Sequence, residues 1–185
     1  MKTEQVIPHG YVRVTEVLSR YTKLSEIDPA TVAAAADRGS RVHSFCEMYM
    51  LNLFVTDVDE DCKNYFNAFK KWFDDTVTTV LYVEKRINND NLRISGQIDL
   101  IAMLKGDSEP TLIDIKTPQT ESSTWQLQTA AYHMLARKEL DFKSLRRICV
   151  MLPKSNPYAR VIEYENHVRD SDLFLKALDL HRFFS

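Results

Sequence analysis

The sequence predicts an α/β chain of α+β-like order: a central mixed β-sheet containing an antiparallel three-strand meander, flanked by helices. Three observations lead there. Apolar residues recur at helical spacing up to about residue 77, and from Thr78 the pattern becomes β-branched and aromatic. Three strand-like runs then follow with only short turn sequences between them, as in consecutive antiparallel strands. The remainder reads helix, strand, strand, helix, so the whole order is α, βββ, α, β, β, α.

Tyr11 to Leu24 reads as an extended stretch and short helix carrying Val12, Val14, Val17 and Leu18. Asp28-Pro29 opens an alanine-rich helix through Ala36, because proline suits the first helical turn. Gly39 is expected to interrupt it. A second helical stripe follows with Val42, Phe45, Cys46, Tyr49 and Leu53. The acidic patch Asp57, Asp59, Glu60 and Asp61 is expected to cap the next helix, whose core residues are Tyr65, Phe66, Phe69, Trp72 and Phe73. Thr79 to Glu84 is the first strand, and Asn88 to Asn91 has turn chemistry. Leu92 to Leu104 is the second strand, with Ile94, Ile98, Leu100 and Ala102 read onto one face. Lys105 to Pro110 turns the chain into a third strand, Thr111 to Lys116. Ser123-Thr124-Trp125-Gln126 has capping-box spacing and starts a helix with the stripe Leu127, Ala130, Ala131, Met134 and Leu135. Two strands (Arg147 to Leu152, Ala159 to Tyr164) and a helix from Ser171 complete the pattern.

A length of 185 residues predicts one domain over 1–185. It divides into a mainly helical part over 1–77, a sheet core over 78–165 carrying helix 123–138, and a helix over 170–185. With 44% hydrophobic and 27% charged residues, wholesale disorder is excluded. The three cysteines, Cys46, Cys62 and Cys149, are odd in number and far apart, which argues for buried thiols over a disulfide framework or zinc site. No secretory h-region and no apolar run of about 18 residues is present, so a cytoplasmic protein without membrane attachment is expected.

The most informative stretch is Gly96-Gln97-Ile98-Asp99-Leu100 followed by Leu112-Ile113-Asp114-Ile115-Lys116-Thr117. Strand side chains alternate, so Asp114 and Lys116 point the same way. A hairpin folded about Gly106-Asp107 places Asp99 opposite Asp114 or Ile115. Both aspartates lie among apolar neighbours, where an ionised group needs partners. Two close carboxylates repel unless a cation lies between them, and hard oxygen ligands select Mg2+ or Mn2+. A metal there would neutralise charge growing on a phosphate, with Lys116 orienting the attacking water or stabilising the transition state. The constellation suits phosphodiester hydrolysis. Gln128 and Tyr132 are one turn apart on the following helix, beside its core stripe. His43 lies beside the apolar stripe of its helix with Glu47 a turn on, and Glu84 ends the first strand. Each of these five has a plain structural reading when taken alone.

Together the residues resemble the PD-(D/E)XK nuclease superfamily in its RecB-like branch, which includes phage exonucleases and the mitochondrial genome maintenance exonuclease. The matching motifs are Arg38-Gly39-Ser40-Arg41-Val42-His43, Glu84, Gly96-Gln97-Ile98-Asp99, Asp114-Ile115-Lys116-Thr117 and Gln128-Thr129-Ala130-Ala131-Tyr132, in that order. Ile98 stands where the superfamily name has proline. The resemblance implies a restriction-endonuclease-like core. It implies that Asp99, Asp114, His43 and the Ile115 carbonyl bind Mg2+ or Mn2+, that Lys116 is catalytic, and that Glu84 is an accessory carboxylate. Gln128, Tyr132, Arg38 and Thr117 would contact the nucleic acid.

The implied activity is a DNA exonuclease of phage or mobile-element recombination. It would act on linear duplex or single-stranded ends, with a recombinase or single-strand annealing protein as partner and an oligomer open. Two other readings stand beside it: an endonuclease of the same fold, and a non-catalytic module that binds nucleic acid or protein. A net charge of -2 argues against indiscriminate coating of nucleic acid. Seven basic residues (Arg137, Lys138, Lys143, Arg146, Arg147, Lys154 and Arg160) face only Glu139 and Asp141 in sequence, so either a basic groove beside the metal site or a solvated surface helix and strand is expected.

Overall fold

A computed structural model describes residues 7–22 and 27–185; the last residues of the predicted Tyr11 to Leu24 segment lie outside them. The elements are β1 (Val12–Arg13), α1 (Val14–Ser19), α2 (Pro29–Met50), α3 (Lys63–Thr76), β2 (Val77–Asn89), β3 (Ile94–Leu104), β4 (Pro110–Lys116), α4 (Thr124–Glu139), β5 (Arg146–Met151), β6 (Arg160–Glu163) and α5 (His167–Phe183). They form a six-stranded mixed sheet flanked by helices.

The meander is β2-β3-β4, antiparallel throughout. β5 then pairs parallel to β4 after the α4 crossover, and β6 returns antiparallel to β5. β2 accompanies β3 over its whole length, from Val77 opposite Leu104 to Asn89 opposite Ile94. The other edge of β3 is shared. β4 takes Leu100 to Met103, and β1 pairs in parallel with Ile94 and Ser95. Among the described residues, no strand pairs with the intervening Gly96 to Asp99 on that edge.

β3 is buried on both faces. α1, α4 and α5 cover one face over Ile94, Ile98, Ile101 and Leu112, while α2 and α3 cover the other over Leu100, Ala102, Leu104 and Ile113. The predicted single face for Ile94, Ile98, Leu100 and Ala102 is therefore corrected. The alternation changes phase at Asp99, and a shift of one residue moves every following side chain to the opposite face.

Several boundaries also differ. Gly39 does not interrupt α2, which runs unbroken for 22 residues behind the Asp28 cap, and Leu53 lies beyond it and is exposed. Gly39 instead allows a close approach: a Cβ there would lie 3.2 Å from Thr117 Oγ1, a tight contact. The acidic patch makes no side-chain cap on α3; Asp59 and Asp61 instead hold Arg41 of α2, at 2.8 Å each. At α4 the capping box is not formed, and the Ser122 hydroxyl accepts from the Thr124 N–H. α5 begins at His167, four residues before the predicted start, because Asn166 caps it through the Arg169 N–H. No helix among the described residues is long and apolar enough to cross a membrane.

Two contacts fix the helical layer on the sheet. Gly96 lets α4 approach β3, since a Cβ there would lie 2.7 Å from Leu135 Cδ1 and 2.9 Å from the Tyr132 ring. Arg147 of β5 is fully buried, donates to Asp170 of α5 at 2.6 Å, and spends further N–H groups on the Gln126 and Tyr164 carbonyls and His167 Nδ1. Gly96→Ala should cost about 1–3 kcal/mol, seen as a lowered thermal midpoint. Asp170→Ala should cost about 3–5 kcal/mol because it strands the Arg147 charge, moving the urea midpoint without changing its slope.

Candidate active site

A cleft of about 790 Å³ opens where the β3–β4 ladder stops. One more rung of the Leu100–Ile113 register would set Asp99 against Asp114, but that rung is missing. The Asp99 carboxylate instead accepts the Ile115 N–H at 2.7 Å. The side chain replaces a backbone acceptor, satisfying a buried donor while the strands part.

Each wall supplies side chains by the period of its element. Asp114 and Lys116 are two apart on β4, Gln128 and Tyr132 four apart on α4, and His43 and Glu47 four apart on α2; all six line the cleft. Glu84 lies inside β2, not at its end as predicted, because β2 continues to Asn89. Its φ is +45°, a left-handed conformation unusual for a non-glycine residue in a strand and typical of functional sites.

Two groups of contacts result. In the first, His43 Nδ1 is 3.6 Å from Asp99 Oδ2, and ligand atoms of His43, Glu84 and Asp99 all lie within 4.8 Å of one another. In the second, Lys116 Nζ is 2.6 Å from Asp114 Oδ2 and donates to Gln128 Oε1 at 3.0 Å. Gln128 Nε2 in turn donates to Asp114 Oδ1 at 3.3 Å and to the Tyr132 hydroxyl at 3.1 Å. Asp114 thus stands with the cation, and Glu84 with the histidine.

The charges follow from this burial. Asp99 is 7% exposed, and burial followed by the neighbouring Asp114 pushes its pKa to about 8. Burial and then Asp99 push Glu84 to about 7. Burial lowers His43, although Asp114, Glu84 and a hydrogen bond to the Ile115 backbone oppose it. For Lys116, burial works downward but is outweighed, chiefly by Asp114, so its pKa stands above the ordinary lysine value and the ammonium persists. Burial raises Tyr132 well above the ordinary phenol, leaving a neutral donor.

The donor set fits a divalent cation. Two reluctantly ionised carboxylates and a neutral imidazole converge, and a cation between them would relieve the repulsion that raises both acids. Asp59, Asp61 and Cys62 also converge, but Arg41 already occupies that cluster.

Of the residues singled out from sequence, His43, Glu84, Asp99, Asp114, Ile115, Lys116, Thr117, Gln128 and Tyr132 all line the cleft. Arg38 does not. It lines an adjacent groove, with its guanidinium carbon 5.6 Å from the centre of the Tyr65 ring. Two neighbours escaped sequence reasoning. The Gln97 side chain donates to the Glu84 carboxylate and accepts from Arg86, and its one available signal was a polar residue two positions from Asp99 in an apolar strand. Trp125 places its ring centre 5.7 Å from Lys116 Nζ, a contact no sequence spacing announces.

The expected basic groove is not formed by the residues proposed for it. None of the seven lines the cleft. Arg146 pairs with Asp107 and Glu163, Arg147 is buried against Asp170, and Arg160 pairs with Glu121. Arg137 donates to the Phe142 and Lys143 carbonyls.

No curated protein matches the chain significantly. Among solved structures, a "putative exonuclease" from Eubacterium rectale superimposes with a TM-score of 0.52 at 12% identity, covering 91% of this chain and 81% of that one. The alkaline exonuclease of Laribacter hongkongensis gives 0.35 at 13% identity, covering 95% and 91%. The first of these is a likeness of fold. The model of the PD-(D/E)XK nuclease superfamily matches residues 16–178, from α1 into α5. With its mixed sheet, its flanking helices and that match over most of its length, this chain belongs to the PD-(D/E)XK nuclease superfamily.

Proposed function

We propose that this chain is a Mg2+- or Mn2+-dependent DNA exonuclease of the RecB-like branch, cytoplasmic and serving phage or mobile-element recombination. The observation that carries the metal dependence is the convergence of His43, Glu84 and Asp99 within 4.8 Å beside the Lys116–Asp114 pair. The exonuclease reading rests on the five ordered motifs and on the short loops between strands, which leave little room for elements that read DNA sequence. A recombinase or annealing protein as partner belongs to the same proposal.

On this reading Asp99, Glu84 and His43 hold the cation, with Asp114 and the Ile115 carbonyl beside them. When bound, it supplies charge neutralisation at the phosphate and a more acidic water. Lys116 keeps its proton and donates toward the phosphate, where negative charge grows in the transition state. Gln128 fixes Lys116 and Asp114 together and is itself held by Tyr132. Thr117, at the rim of the cleft, and Arg38, in the adjacent groove, would contact the nucleic acid.

Digestion of linear duplex, single-stranded and closed circular DNA with Mg2+ tests the assignment, cleavage of circles being the outcome that turns the reading to an endonuclease. Asp99→Ala, Asp114→Ala and Lys116→Ala should each lower the rate about 10²-fold or more while far-ultraviolet circular dichroism stays native. Full activity in both Asp114→Ala and Lys116→Ala would sink the mechanism.

The raised acids also predict a pH dependence. Asp99 and Glu84 bind protons more tightly folded than unfolded, so without divalent cation stability falls as pH rises, until about pH 8. The buried His133 and the half-buried His43 and His167, whose pKa values are lowered, act oppositely, but only below and around pH 6.5. Between pH 7 and 8.5 in EDTA the thermal midpoint should therefore drop. Asp99→Asn should flatten that drop, and Mg2+ should raise the midpoint more at pH 8 than at pH 6.

A further inference from the structure

Beside the cleft lies a second, mostly apolar groove of about 360 Å³, between the N-terminal half of α2 and the chain leaving β4. Val32, Ala35 and Arg38 of α2 line it, opposite Pro118 and Ile27. We infer that this groove receives an unpaired nucleobase of the substrate whose phosphate occupies the cleft, an inference that rests on the nuclease reading above.

Three observations point to that occupant. First, groove and cleft are continuous: Ala36, Gly39, Thr117 and Pro118 line both. Gly39 keeps the join open, because any side chain there would meet Thr117. A molecule whose phosphate sits by Lys116 has its neighbouring groups within reach of this opening. Second, among the described residues the lining is apolar except for Thr31, Thr117 and Arg38, which suits the flat face of a base and not a charged phosphate or a hydrated sugar. Third, Arg38 Nε is a buried donor with no hydrogen-bond partner among the described residues. Such a donor is costly to leave unsatisfied, and a turn of the Arg38 guanidinium toward the groove would give it a base carbonyl or ring nitrogen as acceptor. A paired base presents neither its face nor its full edge, so the groove fits a frayed or single-stranded nucleotide.

The small side chains of α2 make the idea testable. Ala35 is exposed, so Ala35→Phe would fill the groove at little cost to folding, and Ala34→Phe, exposed on the same helix but outside the groove, is the control. The probes are single-stranded oligodeoxynucleotides, each carrying one tetrahydrofuran abasic residue at a different distance from either end, digested with Mg2+. Wild type and Ala34→Phe should show one position, relative to the scissile bond, at which base removal lowers kcat/KM about 10-fold. In Ala35→Phe that sensitivity should vanish, the intact oligonucleotide being cut no faster than the abasic one. Normal cleavage with no sensitive position, or sensitivity retained in Ala35→Phe, would overturn the base site and leave the nuclease reading intact. Failure of the wild type to cut the unmodified oligonucleotide would overturn both.

Discussion

The hydrogen bond from the Ile115 N–H to the Asp99 carboxylate is the contact on which the rest of the site depends. It lets β3 and β4 separate after Leu100 without leaving a buried backbone donor unpaired. The separation makes the cleft, and the phase change at the same residue sends Ile98 and Leu100 to opposite cores. The bond also stabilises the ionised carboxylate, yet it does not outweigh burial and Asp114. A buried acid held in this state binds a proton readily or a cation readily. The architecture and the electrostatics of the cleft are thus one constraint, since the carboxylate that closes the gap in the sheet is also the one left short of counter-charge.

Glu84 shows the same economy on the neighbouring strand. A regular strand would alternate it with Val83 and Lys85, which pair with Leu100 and Ile98. Its left-handed backbone departs from that pattern, and Gln97 fixes the carboxylate by a hydrogen bond backed by Arg86. Strain of this kind, of order 1–3 kcal/mol, persists where surrounding structure over-determines it. Here the long β2–β3 ladder does so, continuing on both sides of the distortion.

The strands and the acidic constellation were legible because they rest on short-range rules. Period-2 alternation placed Asp114 with Lys116, helical spacing placed Gln128 with Tyr132, and turn chemistry bounded β3 and β4. What sequence could not supply were contacts decided by tertiary proximity. Gly39 looked like a break because glycine is a poor helix former, but it is tolerated in α2 and excludes a side chain opposite Thr117. The acids before α3 looked like a cap, but a guanidinium from α2 offered them stronger partners. The basic run from Arg137 to Arg160 looked like a nucleic-acid surface because its partners, Asp107, Glu121, Glu163 and Asp170, lie outside that run. Local charge counts mislead whenever counter-ions come from distant segments.

With those arginines committed to ion pairs, the one lysine among the described residues of the cleft carries unusual weight. Lys116 is the ammonium that lines it, and its partner Asp114 keeps it protonated. A group held as a cation cannot accept a proton from attacking water; it can only donate or attract. His43 is the neutral base nearby, but it is already turned toward Asp99 and hydrogen-bonded to the Ile115 backbone. Tyr132 is a neutral phenol whose hydroxyl accepts from Gln128. On the proposed reading, then, the side chains lining this cleft orient and neutralise, and the proton released at attack passes to the substrate or to solvent. That division fits phosphoryl chemistry, in which positioning and electrostatic stabilisation carry most of the rate.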